Sequence, residues 1–437
     1  MYWISKTFHR VSRLRRRWLI LLAVLGPGII TMVADNDAGG ISTYAQTGAK
    51  TGFRLLWAFI LLVPMAYYVQ EMTVRLGAVT KRGHAEAIFD GFGKFWGWFS
   101  IFDLVLINWL TLVTEYIGMT QAMRLFGVPE WITYAGVTVL LTAIVITGRY
   151  WTFEKITLFF CLFNLVYIPA AIWAMQTGNV HAGWLEVGKG FIPRAELGGV
   201  TASAMLMLIM ANIGTTITPW QIFFQQSAVV DKGMDIKDVK FGKIDTFVGS
   251  LVTCIVAAFI IIATAAAFHY FPKGAISVES AAETAAKLPE VMPQNGWGQW
   301  AKVLFAIGLF DAGLLGALCI SLATSWAIGE VFGWAHSLNR SVREAPWFYV
   351  FYVVTLLSAG MVSLIASIRV QDAITIFVQV VAVTLLPAAL VFLILLLNDK
   401  PLMGEHTNTR WQNIVNWTIV VFVIVMSAAF GLSVLFT

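Results

Sequence analysis

The chain has 437 residues, 59% of them apolar and only 12% charged, with a mean hydropathy of +0.78 and a formal net charge of +5. A soluble domain of this size must cover its surface with polar groups, which this composition cannot do. That excludes a soluble enzyme or nucleic-acid-binding domain as the body of the chain, and it assigns the basic excess to the ends of membrane spans.

Apolar runs of 17 or more residues recur from end to end, each long enough to cross a hydrocarbon layer of roughly 30 Å. Span 1 is expected at 19–48 with a break near 35–40, span 2 at 54–76, span 3 at 98–123, span 4 at 131–148 and span 5 at 153–177. Span 6 covers 199–230 with a break near 212–219, followed by span 7 at 244–270 and span 8 at 300–332. Spans 9, 10 and 11 fall at 346–367, 371–397 and 413–436. The basic start from Lys6 to Arg17 precedes the first apolar run, but Gly26-Pro27-Gly28 interrupts it and no small-residue cleavage site follows. A retained span is therefore expected in place of a signal peptide. The longest connection, around 271–299, carries a short surface helix over 277–288 that Pro289 should end.

Twenty of the 29 Lys and Arg residues fall before span 1 or in the loops after even-numbered spans, against nine on the other side. The positive-inside bias places the N-terminus in the cytoplasm and, with eleven spans, the C-terminus outside. Cys161, Cys254 and Cys319 sit singly in apolar runs and read as small buried hydrophobes.

Two spans have polar, glycine-rich centres. Span 1 runs from Gly26 to Gly40 through Asp35, Asn36 and Asp37, and span 6 from Ala211 to Trp220 through Asn212, three threonines and Pro219. Proline cannot complete a helical ladder, and freed backbone groups cannot face lipid. Each such stretch must be buried in protein or line a wet cavity. Broken helices at the start of two sets of five spans point to a transport site at a repeat interface. Because five is odd, the halves, 19–177 and 199–397, are inverted, and 413–436 is an extra helix. The bland alternative, packing kinks in a receptor or channel, does not require a midspan Asp37.

The first break offers the Asp37 carboxylate and carbonyls near Ala38 and Gly39. The second offers the carbonyls of Thr215 and Ile217 with the hydroxyls of Thr215 and Thr218. Oxygens around one carboxylate suit a hard divalent cation, and neither break contains His, Cys or Met. Asn212 either caps the broken helix or touches the ion, and Gln379 in span 10 can complete the site. Glu115 in span 3 and Asp311 in span 8 read equally as ion-path or structural groups, Asp35 could ligate but two residues before Asp37 should point away, and Asp103 is structural. All six histidines fall at span ends or in loops, so a proton relay beside the ion lacks its usual near-neutral group.

Several landmarks together are specific: Gly26-Pro27-Gly28 followed by Asp37 to Gly40; Arg75 to Thr80 continued by His84 to Glu86; Thr218-Pro219-Trp220 followed by Phe223 to Ala228; and Gln379 with Pro387 eight residues on. On these, residues 20–397 resemble the NRAMP divalent metal transporters, and more closely their magnesium-transporting branch. The resemblance implies a five-plus-five inverted repeat of the amino-acid/sodium symporter type, alternating access, and metal ligation by Asp37 and span 6 backbone oxygen. It also places Gly40 where the family has a ligating asparagine, Thr218 where it has a ligating methionine, and Trp220 and Gln225 where it has histidines associated with proton movement. Loss of the thioether removes preference for transition metals, and smaller side chains leave room for a partly hydrated ion.

The expectation is an all-α integral membrane protein of the prokaryotic plasma membrane, not an enzyme and without a cofactor. It would transport Mg2+ mainly and Mn2+ also, without obligatory proton coupling, through Asp37, Ala38, Gly40, Thr215, Ile217, Thr218, Gln379, Asn212 and Glu115. Its partners would be the metal substrate and the bilayer, with no nucleic acid and no obligate protein partner. The main alternative is a proton-coupled Mn2+/Fe2+ symporter of the same fold. A sodium-coupled amino-acid symporter, an aluminium-transporting relative and a selective channel are the others.

Overall fold

The computed structural model describes residues 26–176, 182–194, 199–271, 275–292 and 297–435. The first residues of span 1, and with them the signal-peptide question, lie outside the described residues. Those described contain helices and no strand. Span 1 is two helices, α1 (Pro27–Val33) and α2 (Ala38–Thr51), followed by α3 (Leu56–Thr80), the short α4 (His84–Phe92), α5 (Lys94–Arg124) and α6 (Glu130–Ile146). Span 5 is α7 (Tyr150–Cys161) and α8 (Tyr167–Gln176), and α9 (Trp184–Gly190) leads to the second half. Span 6 is again two helices, α10 (Ala202–Thr216) and α11 (Pro219–Asp231). Then come α12 (Val239–Thr264), the loop helix α13 (Ala281–Val291), α14 (Trp297–Phe332), α15 (Pro346–Ile365), α16 (Ile368–Asn398) and α17 (Arg410–Leu435).

Nine of these segments are long and apolar enough to cross a membrane, and α6 is a shorter apolar helix. With the broken first span they account for the eleven expected. Spans 7 and 8 are buried along most of their length and form the centre, whereas spans 5 and 11 lie at the periphery. Helix α12 packs on α1, α2 and α3, while α14 packs on α5, and α10 on α16. The two broken spans therefore sit inside a ring of continuous helices.

Three local expectations change. The break in span 6 is only Ile217 and Thr218, because Asn212 to Thr216 stay helical. Two of their polar side chains bond back to the preceding turn: Asn212 Nδ2 donates to the Leu208 carbonyl at 2.7 Å and Thr216 Oγ1 to the Asn212 carbonyl at 2.8 Å. Span 5 is interrupted by a 3-10 turn over Phe163–Val166. Pro169 explains it, since it offers no N–H to the Leu165 carbonyl of a continuous helix. Helix α13 continues through Pro289 to Val291 and is not a surface helix. Ala281, Ala282, Ala285 and Leu288 are buried, and it packs on α2 and α14. Proline in a last turn removes only one terminal bond, and burial of the apolar face outweighs it.

Candidate functional site at the two helix breaks

Asp37 caps the N-terminus of α2 with its own side chain: Oδ1 accepts from the Gly40 N–H at 2.6 Å, leaving Oδ2 without a hydrogen-bond partner among the described residues. Glu115 caps the same turn from α5, accepting the Ala38 N–H on Oε2 at 3.0 Å. Two carboxylates thus meet the positive end of α2, where a helix favours negative charge. The negative ends of α1 and α10 point into the same region, a disposition that attracts a cation.

In span 6, Pro219 has no N–H to offer the Thr215 carbonyl, and the Thr218 N–H donates to Gln221 Oε1 at 3.0 Å instead of continuing the α10 ladder. The carbonyls of the last turn of α10 are thereby released. Thr218 Oγ1 donates to Asp35 Oδ1 at 3.5 Å, so Asp35 faces span 6 while Asp37 faces Glu115 and span 10.

Glycines report how close the walls come. A Cβ on Gly40 would lie 2.6 Å from Thr215 Oγ1 and 3.3 Å from Asp37 Oδ1. One on Gly39 would lie 2.0 Å from Gln379 Nε2 and 3.3 Å from the same Asp37 oxygen. On Gly316 of α14 it would lie 2.9 Å from Glu115 Oε2 and 3.0 Å from Asp37 Cβ. Asp37, Thr215, Gln379 and Glu115 therefore enclose one small volume, with Gly39, Gly40 and Gly316 as its floor. Within it Asp37 Oδ2, Thr215 Oγ1 and both polar atoms of Gln379 are buried without partners among the described residues. Buried polar atoms are ordinarily satisfied, and this concentration of unsatisfied oxygens is what a ligand site requires.

Among the described residues no three His, Cys, Asp or Glu side chains converge on one metal-sized point. A metal here would rest on one carboxylate and neutral oxygens. Asp35, Asp37 and Glu115 take part in no ion pair among the described residues.

Of the sequence-expected residues, Asp37, Ala38, Gly40, Thr215, Gln379 and Glu115 come together, and Ile217 and Thr218 form the adjoining break. Asn212 stands apart. Its amide donates to Thr47 Oγ1 at 2.8 Å, and Thr47 is about 15 Å beyond Asp37 along α2 at 1.5 Å per residue. Trp220 is fully buried against Phe224, and Gln225 donates to Thr246 Oγ1 at 2.8 Å. Sequence reasoning missed Gly316, which carries no chemistry and is legible only from its neighbours; for Glu115 it left a structural role open, and the Ala38 N–H is the group that role serves.

The breaks are sealed from both faces. On the side where the loops after even spans gather, the Asp245 carboxylate accepts the N–H groups of Gly26 at 3.1 Å and Gly28 at 2.7 Å, fixing α1. There Glu71 pairs with Arg75 at 3.1 Å and Lys243 at 2.7 Å, and Lys232 with Glu154 at 2.5 Å. His84, on α4 between spans 2 and 3, is fully buried beside Gln226, and burial lowers its imidazole to about 4. A cavity of about 130 Å³ opens on this face beside Glu86, Ser227, Glu330 and His336. Ser227 is nine residues past Thr218, about 14 Å along α11, so this cavity is not the space between the breaks. On the opposite face Lys50 pairs with Glu279 at 2.9 Å and the Ala281 N–H donates to Ser42 Oγ at 3.3 Å, laying α13 over α2.

Eleven spans with paired breaks in spans 1 and 6 and polar groups gathered between them define a secondary transporter of the five-plus-five inverted-repeat type. The fold is shared with the structure of MhsT in complex with L-phenylalanine, at a TM-score of 0.61 and 16% identity, covering 97% of this chain and 98% of that one. It is shared more closely with an Eremococcus coleocola manganese transporter solved with an aromatic bis-isothiourea compound, at a TM-score of 0.77 and 22% identity, covering 95% and 87%. Residues 28–433 match the family described as Natural resistance-associated macrophage protein-like, and the chain belongs to this Nramp family. Among its relatives, the divalent metal cation transporter MntH of Listeria monocytogenes is 27% identical over 416 residues, 93% of this chain and 89% of that one. The family is one of transporters, not enzymes, and the chain is a multi-pass membrane protein.

Proposed function

We propose that the chain carries a hard divalent cation, Mg2+ mainly and Mn2+ also, by alternating access at the two breaks and without obligatory proton coupling. The observation that carries this reading is the set of unpartnered oxygens on Asp37, Thr215 and Gln379, with no soft donor in either break. Released carbonyls at Thr215 and Ile217 and the Thr218 hydroxyl supply the remaining ligands, or hold waters that magnesium surrenders reluctantly, while the Ala38 carbonyl expected from the sequence stands in the first turn of α2 and is engaged in its ladder. Asn212 braces α10 against α2, and Glu115 holds the α2 terminus in place.

The relatives' names, divalent metal cation transporter and manganese transporter, support the ion class. With the N-terminus in the cytoplasm of a prokaryotic cell and the C-terminus outside, the inside-negative potential drives uptake: two charges at 100 mV gain about 4.6 kcal/mol. Five-helix units 19–177 and 199–397 rocking against each other would expose the site alternately to the two faces, with 413–436 as an accessory helix.

One observation favours the second reading, a proton-coupled Mn2+/Fe2+ symporter. Asp35, Asp37 and Glu115 carry up to three negative charges, one more than a divalent ion neutralises, and a proton is the simplest balance.

Uptake into proteoliposomes beside an internal pH dye separates the two. Saturable Mg2+ uptake, competed by Mn2+, with no matching pH change is expected. Mn2+ uptake in step with acidification, or absence of Mg2+ uptake, supports the second reading. Asp37→Asn should abolish uptake of either ion while the protein still elutes as a single species; retained saturable uptake would remove Asp37 from the site.

A further inference from the structure

A second group of unsatisfied polar atoms lies away from the breaks, where span 5 of the first repeat meets span 8 of the second. Asp311 Oδ1 and Oδ2, Asn164 Oδ1 and Nδ2, and the Tyr167 hydroxyl are all buried without hydrogen-bond partners among the described residues. The three residues are 4%, 1% and 1% exposed, so solvent does not satisfy them.

Their convergence follows from the helices. The 3-10 turn over Phe163–Val166 packs on α14. In such a turn residues three apart eclipse, which sets Asn164 and Tyr167 on one line facing α14. Tyr167 is fixed against that helix twice: its ring meets Phe305 edge-on at 5.3 Å, and a Cβ on Gly308 would lie 2.6 Å from its hydroxyl. Asp311 is one turn beyond Gly308, on the neighbouring line of the same helix. Spans 5 and 8 run antiparallel, so moving three residues back from Tyr167 and three forward from Gly308 brings Asn164 opposite Asp311. The pairing depends on the 3-10 turn, because a regular helix would rotate Asn164 off that line.

A carboxylate with no cationic partner in this environment costs several kcal/mol if left bare, and an unsatisfied amide adds to it. Water would satisfy the amide and hydroxyl but not the charge. A proton would neutralise the carboxylate and let it pair directly with the Asn164 amide, but the two side chains make no hydrogen bond to each other. A divalent ion would leave a net positive charge in the bilayer. A monovalent hard cation matches the single charge and takes oxygen from all three side chains.

We propose that Asp311, Asn164 and Tyr167 form a sodium-type monovalent cation site bridging the two repeats. The proposal is independent of which divalent ion is carried. A cation bound there clamps span 5 to span 8, so its occupancy weights the conformations in which the repeats are in contact.

The test is 22Na+ binding to the purified full-length protein, read by scintillation proximity. Saturable binding displaced by unlabelled NaCl is expected. Asp311→Asn should weaken it at least tenfold, and Asp311→Glu should restore part of it. Divalent-ion binding by titration calorimetry should survive in both, since Asp311 is not among the groups that enclose the central site and lies more than a helical turn before Gly316 on α14. Should Asp311→Asn fail to elute as a single species, Asn164→Ala and Tyr167→Phe are each expected to weaken 22Na+ binding by about threefold to tenfold. Absence of saturable 22Na+ binding in the wild type, or its retention in these variants, overturns the proposal.

Discussion

Substituting Gly40 by alanine probes the central site most directly. The added Cβ would lie 2.6 Å from Thr215 Oγ1, 3.1 Å from the Asp35 carbonyl oxygen and 3.3 Å from Asp37 Oδ1. The carbonyl belongs to the break and cannot rotate away, and Thr215 is β-branched, with few alternative rotamers in a helix. Overpacking of this kind typically costs about 1–3 kcal/mol. Taken from the metal-bound conformation, that is about 5- to 150-fold in affinity. Thr215→Ala removes the nearest obstacle and a proposed ligand together. Four proteins, wild type, Gly40→Ala, Thr215→Ala and the double variant, should be compared by Tm in detergent and by Mg2+ and Mn2+ affinity from calorimetry. Gly40→Ala is expected to lower both Tm and affinity. Thr215→Ala should lower affinity with little change in Tm, and the double variant should recover most of the Tm and bind no worse than Thr215→Ala. Strictly additive losses, or a Gly40→Ala protein indistinguishable from wild type, would refute the placement of Thr215 over Gly40.

Gln379→Ala should weaken divalent-ion binding at least tenfold in calorimetry, whereas Asn212→Ala should change it by less than threefold and act instead on Tm through the lost Thr47 bond. Glu71→Gln leaves Arg75 and Lys243 without their shared carboxylate; a loss on the order of 3 kcal/mol and faster labelling of a cysteine introduced at the face formed by the even loops are expected. His84 predicts a pH dependence. With the folded imidazole near 4 and the unfolded one near 6.5, the unfolded chain binds the extra proton in between. Stability should therefore be flat above pH 6.5 and fall by about 3 kcal/mol as the pH drops to 4. His84→Gln should flatten that part of the Tm profile, and an unchanged profile would remove His84 as its source.

The eleven spans were legible because lipid imposes apolar length, and the two breaks because Asp37 and Pro219 are expensive anywhere else in a span. The width of the second break was not legible. Asn212 and Thr216 read as loop formers, yet threonine and asparagine side chains that bond to the preceding turn remain helical. The 3-10 turn in span 5 follows from Pro169, but its consequence depends on which helix it faces. Glu115 illustrates the same limit: its sequence position marks it as unusual, while its role is set by the Ala38 N–H, which the fold brings from 77 residues away.

The accounting at Pro219 has a consequence for inheritance. The bend in span 6 is made by a proline that lacks a donor and by a Gln221 side chain that takes the Thr218 N–H, while the Thr218 side chain adds a cap on the Gln221 N–H, so most of the bend is held by groups other than the side chain at position 218. On the proposed reading, exchange of that side chain would alter what the site prefers at the cost of one cap, with Pro219 and Gln221 still holding the bend. A lineage with this backbone would then be able to move between ion preferences through single steps, with ion choice diverging while the architecture stays the same.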